Sequence, residues 1–329
     1  MARRVWVRPS RVLVVVSILA SVAGSYSGAS AGARARSNIV TATGTSVSSF
    51  GGAGIIGPKG IATGPDGAFW FTNYRGNSIG RITTTGVVTN FTGAGISFPE
   101  AITSGPDGAL WFTNQASNSI GRITTTGVVT NFTGASISAP QGITTGADGA
   151  LWFIDEGSNS IGRITTAGVV SNYSNGGEFN PQGITSGPDG ALWFTNVVSG
   201  SIGRITTAGV VSTFRGTGIS DPEEITVGPD GALWFTNWGN DSIGRITTAG
   251  VVSNFTGAGI NFPRGITAGP RSSLWFTNFY GNSIGRITTT GRVFNYTGTN
   301  LRFPASITAG TNLDVWFTNS GSNTIGRIS

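Results

Sequence analysis

Three consecutive apolar residues, a polar gap, an Ile-Gly-Arg-Ile run and a second polar gap form one phrase that recurs along this chain. Trp70, Trp111, Trp152, Trp193, Trp234, Trp275 and Trp316 stand 41 residues apart, and so do Arg81, Arg122, Arg163, Arg204, Arg245, Arg286 and Arg327. Seven copies therefore follow one another with no insertion or deletion between these markers, the mark of a repeat architecture. In the third copy, "GITTG" (142–146) predicts a short strand and "ADG" (147–149) a turn. "ALWFID" (150–155) predicts a second strand, followed by a polar loop at 156–160. "IGRITT" (161–166) and "VVSNYS" (169–174) predict a third and a fourth strand around a two-residue Ala-Gly turn.

A four-stranded unit with a period near 40 is the signature of a β-propeller blade. A β-sandwich competes, but the consecutive apolar residues of Leu-Trp-Phe call for burial on both faces of the strand, as in stacked blades. The fold class read from the pattern is all-β: a seven-bladed β-propeller of four-stranded antiparallel blades over residues 46–329. The chain stops after the third strand of its last copy, and "VSSFGGAGI" (47–55) lies one period before "VTNFTGAGI" (88–96). Phe50 matches Phe91. The N-terminal segment is therefore expected to supply the missing outer strand, closing the ring and covering two sheet edges.

Residues 1–31 read differently. Arg3, Arg4, Arg8 and Arg11 precede an apolar run at 12–24, then Ala-x-Ala cleavage candidates at 29–31 and 31–33. This is the pattern of a secretory signal peptide. An uncleaved anchor is the competing reading, but a membrane span needs about 20 apolar residues. The protein is expected to be secreted and extracellular, with 32–45 as a lead-in segment and no membrane span once the signal is removed. Twenty basic against 14 acidic residues give +6, and the four arginines of 1–31 account for all but +2 of it. The remaining arginines are spaced evenly, so no basic patch for nucleic acid is expected despite a pI near 10.5. There is no Cys, hence no disulfide and no thiolate metal site. A closed ring points to a monomer.

The repeated Trp residues are read as blade-to-blade core, with Trp238, outside the register, as the candidate exposed ring. The repeated Arg residues are read as structural, holding neighbouring blades through Asp or carbonyl contacts, because a ring of seven free charges would repel itself. Gly-Pro-Asp-Gly is a turn. Asn-x-Ser/Thr triplets at Asn90, Asn131, Asn172, Asn254 and Asn295 follow the fourth-strand consensus and are read as a by-product of repetition.

Function is sought where repetition breaks. Two positions per copy are expected at one mouth of the channel. The first follows the Pro that opens each inner strand: Lys59, Glu100, Gln141, Gln182, Glu223, Arg264 and Ala305. The second ends the Trp-Phe-Thr strand and is Asn in every copy but the third, which has Asp155 followed by Glu156.

"PQGITSGPDGALWFTN" with "NSIGRIT" resembles the repeat of the virginiamycin B lyases, also called streptogramin lyases, over about residues 47–329. That resemblance implies a seven-bladed propeller with a Mg²⁺-dependent site at one mouth. It also implies opening of a cyclic depsipeptide by elimination across its ester, with His as general base and a strand-end Glu at the metal. This chain has no His. Glu100, Gln141 and Asp155 match the implied His, His and Glu in location and differ in residue type. Proton abstraction needs a base with pKa near the working pH, which His supplies directly and Glu only after a large shift. The favoured expectation is a non-catalytic binding module. Its ligand, a small polar molecule, peptide or cell-wall fragment, would contact Lys59, Glu100, Gln141, Asp155, Gln182, Glu223 and Arg264. One alternative is a carbon-oxygen lyase with a substituted base, Glu100 or Glu223, and Mg²⁺ near Asp155 and Glu156. The other is a repeat scaffold without a ligand.

Overall fold

The computed structural model describes residues 46–93, 95–174 and 180–329. The expected signal peptide (1–31) and lead-in (32–45) lie outside the described residues. Seven four-stranded antiparallel sheets form the blades of a propeller. Blade 1 runs from the channel outward as Pro58–Thr63, Phe69–Asn73, Ser78–Ile82 and Val88–Phe91. Blades 2 to 6 repeat this order. In blade 7 the outer strand is Val47–Gly51 from the N-terminal end, paired antiparallel with Thr324–Ile328 in the register Val47↔Ile328 to Gly51↔Thr324.

Sequence accounts for the packing. The second strand of blade 1 is buried at every position, which its run of apolar residues requires. Trp70 packs with Ile79 of its own blade and with Ile102, Leu110 and Phe112 of the next, so each core cluster spans two blades. The last interface is built the same way, Trp316 and Ile325 meeting Ile61, Phe69 and Phe71. Each Trp also stacks on an outer-strand ring: Trp70 on Phe91 at 5.2 Å, and Trp316 on Phe50 at 5.2 Å. Phe50 thus completes blade 7 as Phe91 completes blade 1. The third strand carries Gly because it crosses Phe of the second. A Cβ on Gly80 would fall inside the Phe71 ring.

Three local expectations need correction. The turn between the third and fourth strands is longer than two residues, since Thr165 N donates to Val169 O and Gly168 N to Thr165 O, ending the strand at Ile164. The repeated arginines do not generally tie blades together. Arg81 lies opposite Trp70 in the ladder, beside the turn of its own blade. There its Nε donates to Asp66 at 2.6 Å, and the Trp70 indole donates to the same carboxylate at 3.0 Å. Blades 2 to 5 repeat the pair. Among the described residues, Arg327 is the one of the seven that donates to a neighbouring blade, at Thr84 O. Trp238 is not a free ring. It packs edge-on to Phe262 at 5.1 Å and against Phe279 and Tyr280.

Blades are tied by threonine instead. The inner strand bulges in every blade: Pro58 faces Asn73 and Ile61 faces Phe71, leaving Lys59 and Gly60 opposite Thr72 alone. Thr72 Oγ1 accepts from Gly60 N at 2.8 Å and donates to Glu100 O of blade 2 at 2.9 Å. Thr113, Thr195, Thr236, Thr277 and Thr318 donate to the following blade in the same way. Blade 3 has Ile154 at this position and so lacks the hydroxyl.

Candidate functional site

The bulge builds the mouth. It turns the residue after Pro toward the opening and the next residue into the channel. A polar cavity of about 80 Å³ results, lined by all seven inner strands. Six of the seven expected ligand contacts line it: Lys59, Glu100, Gln141, Gln182, Glu223 and Arg264. Asp155 is not among its lining residues.

These groups already engage one another. Lys59 is ion-paired with Glu100 and lies 4.3 Å from the centre of the Tyr74 ring. Burial pulls the Lys59 ammonium below its usual pKa; Glu100 opposes that shift and the positive charge of Arg264 adds to it. Burial and the Glu100 carboxylate together push the Tyr74 phenol up. On the far side Gln182 donates to Gln141 Oε1 at 2.6 Å, and Gln141 donates to Glu156. Arg264 lies over Phe279, 5.2 Å from the ring centre.

The strand-end position expected at the mouth is instead buried beneath a loop. Asn73 accepts from Ile56 N at 3.1 Å and donates to Gly54 O, Ser78 Oγ and Asn90 Oδ1, each at 3.0 Å. The fourth-strand Asn residues thus hydrogen-bond the buried strand-end Asn: Asn131, Asn254 and Asn295 accept in the same manner. Asp155 is the variant of this pin. Its carboxylate accepts from Ser138 N, Ser158 Oγ and Asn172 Nδ2 at 2.6, 2.6 and 2.9 Å. Burial pushes its pKa up, and those three donors pull it back.

This donor set does not fit a resident Mg²⁺. The Asp155 oxygens are occupied inside the loop, Glu156 accepts from Gln141, and Glu100 is neutralised by Lys59. Among the described residues no group of three or more acidic, His or Cys side chains is arranged to hold a metal.

Two features were missed from sequence. Glu224 follows Glu223 in blade 5, at the bulge position that is Gly60, Gly142, Gly183 and Gly265 in four other blades and Ala101 or Ser306 in two. It sits at the boundary between the polar cavity and a second one of about 150 Å³ walled by isoleucines such as Ile61, Ile143 and Ile184. Burial in this ring, reinforced by Glu223, pushes its carboxyl up to about 7, against the pull of the Ile225 N–H and Arg264. The second is an open recess of about 500 Å³ beside blades 6, 7 and 1, with Tyr74, Arg75, Phe279 and Phe303 in its wall. Its signal lay one residue past the strand-end Asn, where the copies read Tyr74, Gln115, Glu156, Val197, Trp238, Phe279 and Ser320.

The sequence matches the virginiamycin B lyase family over residues 36–176 and 174–329. The chain belongs to this family. No curated protein sequence matches it. Solved structures agree with the assignment. A streptogramin B lyase is 34% identical, with 87% of this chain and 97% of that one covered, at a TM-score of 0.81. Virginiamycin B lyase from Staphylococcus aureus is 35% identical over 87% of this chain and 99% of that one, also at 0.81. A catalytically inactive His→Ala form of the Staphylococcus aureus enzyme with quinupristin is 36% identical, with the same coverage and TM-score. Family membership extends to the propeller and its repeat. The inactive Staphylococcus aureus form carries a His→Ala change, and this chain contains no histidine.

Proposed function

We propose that this chain is an exported, non-catalytic member of the family that binds a small polar ligand, a peptide or a cell-wall fragment at the channel mouth. The observation that carries this reading is the absence of any imidazole in the chain. In the relative solved with quinupristin, loss of one His accompanies loss of catalysis. The mouth groups Lys59, Glu100, Gln141, Gln182, Glu223 and Arg264 supply charge of both signs and amides, which suits a zwitterionic or peptide-like ligand. Losing a general base costs on the order of 10²–10⁴ in rate. Export would rest on residues 1–31, and N-terminal sequencing of protein recovered from culture medium tests it.

A second reading has one observation in its favour. Glu224 is a carboxylate held near neutrality at the floor of the mouth, and a base with that pKa is suited to proton abstraction at pH 7. In that reading Glu224 replaces the base that the sequence placed at Glu100 or Glu223.

Incubation with quinupristin, with and without Mg²⁺, separates the two. Elimination across the ester opens the ring without changing its mass, so conversion is read as a new chromatographic peak of unchanged mass. No new peak is expected. A peak that disappears in Glu224→Gln would overturn the non-catalytic reading in favour of the second. For binding, peptides and wall fragments are screened by thermal shift. A ligand at 100 times its Kd adds roughly 2.7 kcal/mol of stability, and Glu100→Gln should reduce that gain.

A further inference from the structure

We propose that the recess beside blades 6, 7 and 1 is a binding site for a small aromatic anion, an aryl carboxylate or aryl phosphate. This rests on the mouth being a binding surface, and it assigns ligand chemistry to a part of that surface outside the inner belt.

The recess is large enough for such a ligand, since small-molecule sites typically run from about 300 to 1,000 Å³ and this one measures about 500 Å³. Its wall holds three cationic side chains, Lys59, Arg75 and Arg264, and no carboxylate. Lys59 is neutralised from the channel side by Glu100. Arg75 and Arg264 form no ion pair with any described residue. Two guanidinium groups facing one concavity give it a positive potential; Arg264, attracted on its channel side by Glu224, also adds to the burial that lowers the proton affinity of Lys59. An anion seated between them is attracted by both charges.

The rest of the wall selects for a flat apolar group. Tyr74, Phe279 and Phe303 offer ring surface, with Phe279 and Phe303 stacked at 5.3 Å. Arg264 rests over Phe279. A guanidinium held on a ring keeps its in-plane donors for a carboxylate or phosphate, which Arg binds through two parallel bonds. Several neutral polar atoms of the wall are engaged within the protein: Asn323 Oδ1 accepts from Gly57 N, Ser320 Oγ donates to Phe303 O and Tyr74 Oη donates to Gln115 Oε1, each at 2.8 Å. The arginines are the cationic groups of the wall with no ion-pair partner among the described residues. In blades 2 to 4 the position of Tyr74 and Phe279 holds Gln115, Glu156 and Val197, so the aromatic and cationic surface is confined to one side of the mouth.

Titration calorimetry with phenylacetate, phenyl phosphate, neutral phenylacetamide and acetate tests this on the purified protein. Phenylacetate or phenyl phosphate should bind, and which binds more tightly identifies the source of the charge. Phenylacetamide should bind at least about tenfold more weakly, the factor carried by one charge-assisted hydrogen bond, and acetate more weakly still. Raising the salt concentration should weaken the anions and leave the amide unchanged. Arg264→Ala and Arg75→Ala should each weaken the anion by a similar factor. Arg75 is exposed, so its variant is expected to fold even if Arg264→Ala does not. Equal binding of acid and amide, no binding by either anion, or an unchanged Kd in Arg75→Ala with Arg264→Ala would overturn the proposal. The quinupristin assay fails independently: antibiotic conversion with phenylacetate still bound would refute the non-catalytic reading and leave this site standing.

Discussion

At the scale of single residues, Glu224 is the side chain most at odds with its surroundings. Its folded pKa, about 7, exceeds its ordinary value of 4.5. The stability it contributes is therefore complete below pH 4.5 and is lost as pH rises through 7. At pH 8 a carboxylate must be held charged inside the ring, at a cost on the order of 2 kcal/mol. Glu224→Gln should consequently melt higher than wild type at pH 8, with the difference vanishing near pH 4. Parallel melting curves at all pH values would refute the placement of this charge. The turn aspartates behave oppositely. Burial raises the pKa of Asp148, but donors from Trp152, Arg163 and Ala150 outweigh it and hold the carboxyl below its ordinary 3.8. Asp66, Asp107, Asp189 and Asp230 shift the same way. Their stabilisation is present above that value and is lost as pH falls through the folded pKa, so acid unfolding should begin below about pH 4. Asp148→Asn should cost about 1 kcal/mol in urea unfolding at pH 7, since the pair is partly exposed.

At the scale of the strand, close approach dictates residue choice. Gly162 crosses the Phe153 ring, leaving no space for a Cβ. Gly162→Ala should destabilise by about 3 kcal/mol and lower the melting temperature, the upper end of what overpacking costs. Thr113 serves two partners at once, Ala101 N at 3.1 Å and Gln141 O at 2.7 Å of blade 3. Thr113→Val keeps the volume and strands both groups, for a loss of about 2 kcal/mol; an unchanged urea midpoint would remove threonine as the link between blades. Blade 6 shows the repeat compensating for drift. Arg271 stands where the turn Asp should be, and Arg286 Nε has no hydrogen-bond partner. Phe294 replaces the usual Ser or Thr and lies 3.9 Å from the Arg286 guanidinium, whose other neighbour is Trp275. Restoring the turn with Arg271→Asp and Ser272→Gly should raise stability by about 1 kcal/mol.

At the scale of the whole molecule, closure depends on five residues near the N-terminal end. Val47–Gly51 pairs with the last strand, and Phe50 covers Trp316. Deleting residues 1–51 would expose the edge of blade 7 and one face of its Trp. A propeller without this strand is expected to melt lower and to elute as dimer or aggregate, because an open sheet edge recruits another chain. A truncated monomer of unchanged melting temperature would contradict that role. Among the described residues no helix is long and apolar enough to cross a membrane.

Spacing alone was enough to read the seven blades, the interlock at Phe50 and the double burial of Leu-Trp-Phe. Each follows from periodicity and hydrophobicity, which are properties of the chain order. The residues after Pro were also legible as a ring, because a bulge at the same register turns them all toward one opening. Partner choice was not legible. Arg81 reaches the turn Asp of its own blade, the strand-end Asn and Asp155 sink beneath loops, and threonine holds blade to blade, all because ladder register sets which side chains share a face. Glu224 and the Arg75–Arg264 recess depend on closure itself. The enclosure of Glu224 and the convergence of Arg75 and Arg264 on one recess exist only once strands far apart in the chain meet around one axis.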